Sequence, residues 1–212
     1  MSGTSPLAEL YQQISLCQDC ELAKYRNKVV PGEGAEDAEI MFIGEAPGFY
    51  EDQQGRPFVG SAGHFLDELL NSIGLERSKV YICNVIKCRP PGNRDPLPKE
   101  IKACQKWLDR QIEIINPKLI VTLGRYSMAR FFPKESISKV HGTWRQVGNR
   151  ICFAMYHPAA ALHQQKLRET LQADMLKIPL ALDEARKLAS AIQEAQQVGR
   201  GMKEEPRQLS ML

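Results

Sequence analysis

Short apolar runs alternate with longer segments of helical periodicity along the chain. Residues 40–43 are all apolar and are followed by Gly44, a pattern typical of a buried strand in a parallel sheet. Comparable runs span residues 80–86, 119–123 and 151–156, and apolar positions recur at helical spacing in residues 6–16, 61–73, 98–115 and 165–196. This order of strands and helices predicts a parallel sheet with helices on both faces.

Proline and polar residues mark the ends of the predicted helices. Pro6 and Pro98 open two of them, and Asn116-Pro117 ends the second. Ser61 is placed as the N-cap of another helix, and the last helical region is interrupted near Pro179.

Length and composition indicate one globular domain. The 212 residues are 43% hydrophobic and 25% charged, with a formal net charge of +3. That charge allows contact with a polyanion without requiring it. No leader pattern opens the chain and no apolar run approaches the roughly 18 residues that span a bilayer. We therefore expect a soluble, cytoplasmic protein with no membrane contact.

The six cysteines are of two kinds. Cys83 and Cys152 lie inside apolar, strand-like runs, so we interpret them as core residues. The other four are a C-x2-C pair and two cysteines beyond the second strand: Cys17, Cys20, Cys88 and Cys104. In a reducing compartment such a set predicts a metal site, and four thiolates suit either zinc or an iron-sulfur cluster.

Polar residues lie at or near the ends of three predicted strands. Glu45 follows the first, Asn84 is near the end of the second, and His157 follows the fourth. The carboxyl ends of parallel strands share one edge of the sheet, where α/β proteins bind ligands. With Phe58, held between Pro57 and Gly60, these residues offer an acid-base group, an amide, a hydrogen-bond donor and a flat apolar face. That combination suits a nucleobase.

Two other classes of function fit the sequence less well. The Gly32-Glu33-Gly34 loop lacks a dinucleotide fingerprint, and no phosphate loop with a metal-binding carboxylate is present. A catalytically silent iron-sulfur module that binds DNA would keep the cysteines and the basic loops. It would not need Glu45, Asn84 and His157 together.

Several motifs resemble the family 4 uracil-DNA glycosylases. These are G-E-A-P-G at 44–48, G-R-P-F-V-G at 55–60, C-N-V-I-K-C at 83–88 and H-P-A-A-A-L at 157–162, together with the four cysteines. The resemblance covers roughly residues 7–190. It implies a three-layer α/β/α sandwich around a four-stranded parallel sheet, and a [4Fe-4S] cluster held by Cys17, Cys20, Cys88 and Cys104.

The implied activity is hydrolysis of the N-glycosidic bond of deoxyuridine in double- or single-stranded DNA. A sister group that becomes covalently trapped carries a basic loop ending in histidine after the second strand. Here that region reads R-P-P-G-N-R-D-P. We therefore expect a monofunctional hydrolase of base excision repair.

The resemblance also gives roles to the strand-end residues. Phe58 would stack on uracil. Asn84 would accept from N3–H and donate to O4, a pairing that cytosine reverses. His157 would donate to O2 of the leaving base, and Glu45 would orient or deprotonate the attacking water. Gly44 and Ala46 flank Glu45 and would help to hold the base.

Contacts with the rest of the DNA are predicted less directly. Leu162 would enter the stack that the uracil vacates. Charge or position at a helix N-terminus suggests phosphate contacts for Ser61, Lys87, Arg89 and Arg94, with solvated surface as the alternative. His141 could line the site edge or be a structural loop residue.

The C-terminal region is predicted to be separate from the domain, which we place at residues 1–192. Residues 193–212 read as a flexible polar tail. The tail ends in a run that resembles the peptide with which bacterial repair proteins bind the sliding clamp: Gln208, Leu209, Ser210, Met211 and Leu212. We expect a monomer that binds DNA, with the sliding clamp as a further partner.

Overall fold

The computed structural model describes residues 4–201, with side chains through residue 197. The α-helices are α1 (Pro6–Ser15), α2 (Phe49–Gln54), α3 (Ser61–Ser72), α4 (Pro98–Ile115), α5 (Arg125–Phe131), α6 (Ile137–Val140), α7 (Gln165–Met175) and α8 (Ile178–Gly201). The strands are β1 (Glu33–Gly34), β2 (Ile40–Gly44), β3 (Tyr81–Asn84), β4 (Leu119–Leu123), β5 (Thr143–Val147) and β6 (Arg150–Met155). Short 3-10 turns span Glu21–Lys24, Arg77–Lys79, Pro91–Asn93 and Pro158–Ala161.

One sheet organises the chain, with strand order β1-β3-β2-β4-β6-β5. The four inner strands are parallel, and β1 and β5 pair antiparallel at the two edges. The carboxyl ends of β2, β3 and β6 therefore point to the same side. In the register of β2 and β3, Gly44 lies opposite Asn84, which places the loop after β2 directly beside the end of β3.

Two hydrophobic layers cover the sheet, because successive strand residues point to opposite faces. Met41 and Ile43 face the layer built by α1, α4 and α5. Ile40 and Phe42 face the layer built by α3, α7 and α8. The sandwich expected from the sequence is present, and its four parallel strands are the predicted ones.

The structure differs from the sequence prediction at the sheet edges and in the last helix. β1 and β5 add antiparallel edge strands, so the sheet has six strands within the described residues. α8 continues to Gly201, so residues 193–201 are helical where a flexible tail was predicted. The segment A-I-Q-E-A-Q-Q at 191–197 consists largely of strong helix formers, which explains the extension. The clamp-like peptide at 208–212 lies outside the described residues.

None of the helices in the described part of the chain is long and apolar enough to cross a membrane.

Candidate active site

A cleft with a volume of about 190 Å³ opens at the carboxyl edge of the sheet. Its walls come from the loop after β2, the turn before α3, the end of β3, the loop before α4 and the turn after β6. The lining residues are Glu45, Ala46, Pro47, Gly48, Glu51, Phe58, Ala62, Asn84, Pro90, Asn93, Arg94, His157 and Ala159. The three predicted strand-end residues and Phe58 therefore share one cleft.

Gly44 sits behind the cleft wall and makes room for two side chains. A Cβ at this position would lie 2.4 Å from Asn84 Oδ1 and 2.6 Å from Phe58 Cζ. Any larger residue would displace both groups. Gly44 thus acts on the site by its lack of a side chain, and it is not among the lining residues.

Asn84 lines the cleft and carries an unpaired acceptor. Its side chain is buried, with 2% of the residue exposed. Oδ1 is the one buried side-chain nitrogen or oxygen among the described residues without a hydrogen-bond partner. An unsatisfied buried acceptor costs about 1–3 kcal/mol, so this atom calls for a ligand that donates.

Phe58 is held in an unfavourable backbone conformation. Its φ is +52°, in the left-handed region that bulky residues rarely adopt. The Arg77 guanidinium stabilises the turn by donating to the carbonyl oxygens of Pro57 and Phe58 and to Asp67. Gly63 of α3 permits the close approach, because a Cβ there would lie 1.9 Å from Phe58 O. The ring is thereby fixed at the cleft.

Glu51 ties the loop after β2 to the turn before α3. Its carboxylate accepts from the N–H groups of Gly48, Val59 and Gly60 at 2.8–3.1 Å. The sequence patterns predict a site role for neither Glu51 nor Arg77. Each acts on backbone groups brought near by the fold, and neither lies in a recognisable local pattern.

Glu45 lies half-buried in the cleft just beyond the last ladder position of β2. Its backbone oxygen still accepts from Ile86 N at 3.2 Å, so the carboxylate stands on a fixed main chain. Burial raises the pKa of the Glu45 carboxyl, and the negative charge of Asp95 raises it further, whereas Arg125 lowers it. The pKa of this carboxyl is therefore closer to neutral pH than that of an exposed glutamate. A pKa shifted in this direction suits a general base.

His157 presents a neutral imidazole. Burial lowers the pKa of His157 to about 4. Its Nδ1 accepts from Ala159 N at 3.1 Å, so the proton of the neutral ring is on Nε2. The ring stacks with Phe58 at a centroid distance of 5.5 Å and an interplanar angle of 24°. Gly124, with φ +90°, permits the approach, since a Cβ there would be 3.1 Å from His157 Cβ.

Lys87 is buried, which contradicts the expectation that it contacts a DNA phosphate. Only 1% of it is exposed. Its ammonium donates to Asn84 O at 2.7 Å and to Gln111 Oε1 at 2.6 Å. The side chain turns inward because α4 supplies Gln111, which also donates to Tyr81 Oη at 2.8 Å. Lys87 therefore supports the main chain of Asn84 from behind.

The other predicted DNA contacts lie around the cleft. Arg94 lines it and forms two hydrogen bonds to buried Glu100, which neutralises much of its charge. Arg89 donates to Asn93 Oδ1 at 2.7 Å. Ser61 is exposed and is the first residue of α3. The N-cap of α3 is Gly60, so the prediction that Ser61 is the N-cap is wrong. Leu162 is 36% exposed at the end of the turn after β6.

His141 has a structural environment. Its Nδ1 is 2.7 Å from Asp174 Oδ2, and its ring packs on Tyr156 at 4.7 Å. Asp174 is buried and also pairs with Lys177 at 3.2 Å. His141 is not among the residues that line the cleft.

The four predicted ligand cysteines line one cavity between α1, the loop after β3 and α4: Cys17, Cys20, Cys88 and Cys104. Among the described residues, no group of three or more His, Cys, Asp or Glu side chains is arranged to hold a metal ion. Burial raises the pKa of Cys88 and that of Cys104, the latter to about 12. A metal bound here would have to displace their protons.

Hydrogen-bond donors point at three of these sulfur atoms. Trp107 Nε1 donates to Cys17 Sγ, Arg26 Nη1 donates to Cys88 Sγ, and Lys87 N donates to Cys104 Sγ, each at 3.3 Å. Thiolates that ligate iron-sulfur clusters commonly accept such bonds, which tune the cluster. The donor set therefore fits a cluster held by cysteines. Cys83 and Cys152 lie in the core, as predicted.

Comparison with known proteins places the chain in a family. Residues 31–178 match the uracil DNA glycosylase superfamily. A Type-4 uracil-DNA glycosylase of Saccharolobus solfataricus is 52% identical over 180 residues, which are 80% of this chain and 83% of that protein. A Type-4 enzyme of Sulfurisphaera tokodaii is 50% identical over 182 residues, 81% of this chain and 83% of that protein. The chain belongs to the Type-4 uracil-DNA glycosylase family.

A third Type-4 relative matches the chain at lower identity. A Type-4 uracil-DNA glycosylase of Thermotoga maritima is 45% identical over 173 residues, 78% of this chain and 89% of that protein. The superfamily match spans the sheet and the cleft residues Glu45, Asn84 and His157. It begins after Cys17 and Cys20, so the first half of the cysteine set lies outside it.

Proposed function

We propose that this Type-4 family member is a DNA repair glycosylase that extrudes uracil from DNA and hydrolyses its N-glycosidic bond. The observation that carries the proposal is the unpaired Oδ1 of buried Asn84 in the cleft shared with Glu45, Phe58 and His157. Names and identities of the relatives support the same activity.

Recognition would use the amide of Asn84 and the ring of Phe58. Asn84 Oδ1 accepts from N3–H of uracil and its amide nitrogen donates to O4. Cytosine has an acceptor at N3 and a donor at C4, so both bonds would become mismatches at about 1–3 kcal/mol each. The fixed Phe58 ring packs against the flat base. Extrusion costs a few kcal/mol, and less from single strands.

Bond cleavage would use charges that develop in the transition state. As the bond breaks, its electron pair goes to uracil N1 and the sugar becomes positive. The Nε2–H of neutral His157 donates to O2 of the departing base and stabilises its negative charge. The Glu45 carboxylate would offset the sugar cation and take the proton from water as the oxygen bonds to C1′.

Cys17, Cys20, Cys88 and Cys104 would hold the [4Fe-4S] cluster. A bound cluster would cross-link these chain segments, and the hydrolysis would use the cleft residues. Trp107, Arg26 and the backbone N–H of Lys87 would orient the sulfur ligands.

The proposal extends to partners and location. The substrate is uracil-containing DNA, single- or double-stranded, and we propose that the protein is a cytoplasmic monomer. The C-terminal residues Gln208, Leu209, Met211 and Leu212 would bind the sliding clamp, with the three apolar side chains among them as anchors. A tethered enzyme would search nearby DNA at raised effective concentration.

The test is release of free uracil from a uracil-containing oligonucleotide, followed by alkaline cleavage at the abasic site. We expect release without added metal or nucleotide. His157→Ala should slow the single-turnover rate by about 100-fold, since removal of one oxyanion donor costs about that much. His64→Ala, on the exposed side of α3, is the matched control. Intact strands with the wild-type chain would refute the activity and favour the silent DNA-binding module.

A further inference from the structure

Two aromatic rings are exposed at the rim of the cleft. Phe49 and Tyr50 are 49% and 59% exposed, and they directly follow Gly48, which lines the cleft. Their rings pack edge to face, with centroids 5.4 Å apart and an interplanar angle of 81°. A single exposed apolar residue is ordinary, whereas a paired aromatic surface beside a polar cleft is typical of a binding surface.

The pair is held rigidly at this position. Glu51, the next residue of α2, fixes the helix to the rim through Gly48, Val59 and Gly60. The Tyr50 ring lies against Gly60, where a Cβ would be 3.4 Å from Tyr50 Cδ2. Because the rings are in place before a ligand arrives, contact with them costs little conformational entropy.

A cation lies beside the pair. The Arg89 guanidinium carbon is 5.1 Å from the centroid of the Phe49 ring. Its Nε donates to Asn93, which lines the cleft. Arg89 forms no ion pair with any residue among the described side chains. The rim thus combines flat apolar rings with an uncompensated positive charge.

We propose that Phe49 and Tyr50 stack with unpaired bases that flank the extruded uracil, while Arg89 neutralises the phosphate between them. This rests on the proposed function, because it requires the uracil to occupy the adjacent cleft. Unpaired bases with their phosphates supply the matching π-faces and negative charge. In a duplex the flanking bases stay stacked on one another, so the surface serves single-stranded DNA and favours it as substrate.

The test uses a single-stranded oligonucleotide with a tetrahydrofuran abasic analogue and 2-aminopurine as the neighbouring base. Titration with the full chain should quench 2-aminopurine as it stacks. In Phe49→Ala/Tyr50→Ala the quenching should disappear, and affinity should fall by about tenfold for each ring. Affinity for the same oligonucleotide in a duplex should change much less. Tyr50→Phe should retain quenching, because it keeps the ring.

The control is Tyr25→Ala, which removes a tyrosine that is 62% exposed and does not line the cleft. It should leave both affinities and the quenching unchanged. The inference is overturned if the double alanine variant quenches like the wild type, or if it loses affinity equally for single and double strands. An unchanged thermal unfolding transition in the double alanine variant verifies that it is folded. Tyr50→Ala alone repeats the test with one ring removed.

The analogue contains no uracil, so this test is separable from the proposed activity. A wild-type chain that quenches but releases no uracil overturns the activity and supports the stacking surface. A chain that releases uracil without quenching overturns the stacking surface alone.

Discussion

Gly44 and Asn84 are register partners on adjacent parallel strands, and a Cβ on Gly44 would lie 2.4 Å from the Asn84 amide oxygen. The position of the Asn84 amide is therefore fixed by a strand register and by the absence of one side chain. Lys87 holds the same main chain from the other side, through its bond to Asn84 O.

Asn84→Asp should abolish uracil preference. A carboxylate accepts but cannot donate to O4, so the single-turnover rate on uracil should fall by about 100-fold. Single-turnover rates on uracil- and cytosine-containing oligonucleotides would give the ratio of the uracil rate to the cytosine rate. Asn71→Asp, on the exposed side of α3, should leave it unchanged. An unaltered ratio in Asn84→Asp would remove this residue from base recognition.

Glu45 should set the acid limb of the pH–rate profile. The proposed mechanism needs the carboxylate, and burial raises its pKa, so the rate should fall as pH drops through a pKa above the ordinary carboxyl range. His157, with a pKa of about 4, stays neutral across that window. Glu45→Gln should lower the plateau rate of the pH–rate profile and flatten its acid limb.

The same raised pKa has a defined effect on stability. The folded state holds the Glu45 proton more tightly, so the favourable contribution is present at low pH and is lost as pH rises through the folded pKa. Glu45→Gln should therefore not lower the free energy of unfolding at pH 7.

The pH–rate prediction has its own contradicting outcome. An acid limb that persists in Glu45→Gln would assign that limb to another group. Glu169→Gln serves as the exposed control.

Substitution of any one of Cys17, Cys20, Cys88 or Cys104 by serine should lower iron content and thermal stability together. In the proposed cluster, the four sulfur ligands together would cross-link the segment after α1, the loop after β3 and α4. Iron per chain and the visible absorbance of anaerobically purified protein are the readouts. Cys83→Ala and Cys152→Ala should keep the iron. Stoichiometric zinc without iron in the wild type would contradict the cluster.

Lys87→Met should destabilise the fold and leave the electrostatics of DNA binding unchanged. The substitution leaves Asn84 O and Gln111 without a donor, at a cost of about 1–3 kcal/mol in the free energy of unfolding. Denaturant unfolding measures this loss, with exposed Lys79→Met as control. If Lys87 instead contacted a phosphate, the salt slope of DNA affinity would fall by about one in Lys87→Met.

Deletion of residues 208–212 should abolish binding to the sliding clamp of the same organism. Activity on short oligonucleotides should stay the same, because the deleted peptide is distant in sequence from every cleft residue. Binding of the full and the truncated chain to surface-immobilised clamp measures the two affinities. Absence of binding by the full chain at tens of micromolar, a generous bound for a short peptide, would exclude this partner.

Much of the fold is readable because its elements have strong local signals. The helix Pro98–Ile115 and the strand Leu119–Leu123 have the predicted bounds, since proline, an Asn-Pro stop and a glycine delimit them. β5 is short, half-exposed and polar, so its pattern is weak. The Gly148-Asn149 turn that joins it to β6 was an available hairpin signal.

The site was predictable where a side chain follows a strand, and not where long-range contacts decide its environment. Glu45, Asn84 and His157 meet in one cleft because parallel strands end at a common edge. Lys87 looks like a surface cation in sequence, and its partner Gln111 lies 24 residues away on α4. The support that Arg77 gives to Phe58 is likewise visible only in three dimensions.

The positive φ of Phe58 sets backbone strain against side-chain burial at one residue. A non-glycine residue in this region costs on the order of 1–3 kcal/mol, so a glycine at position 58 would relax the backbone. The same change would empty the buried space that the ring fills, since only 5% of the residue is exposed, at a cost of about 3–5 kcal/mol. The strained phenylalanine is therefore the more stable residue here, and the strain persists because the ring belongs to the core as well as to the cleft.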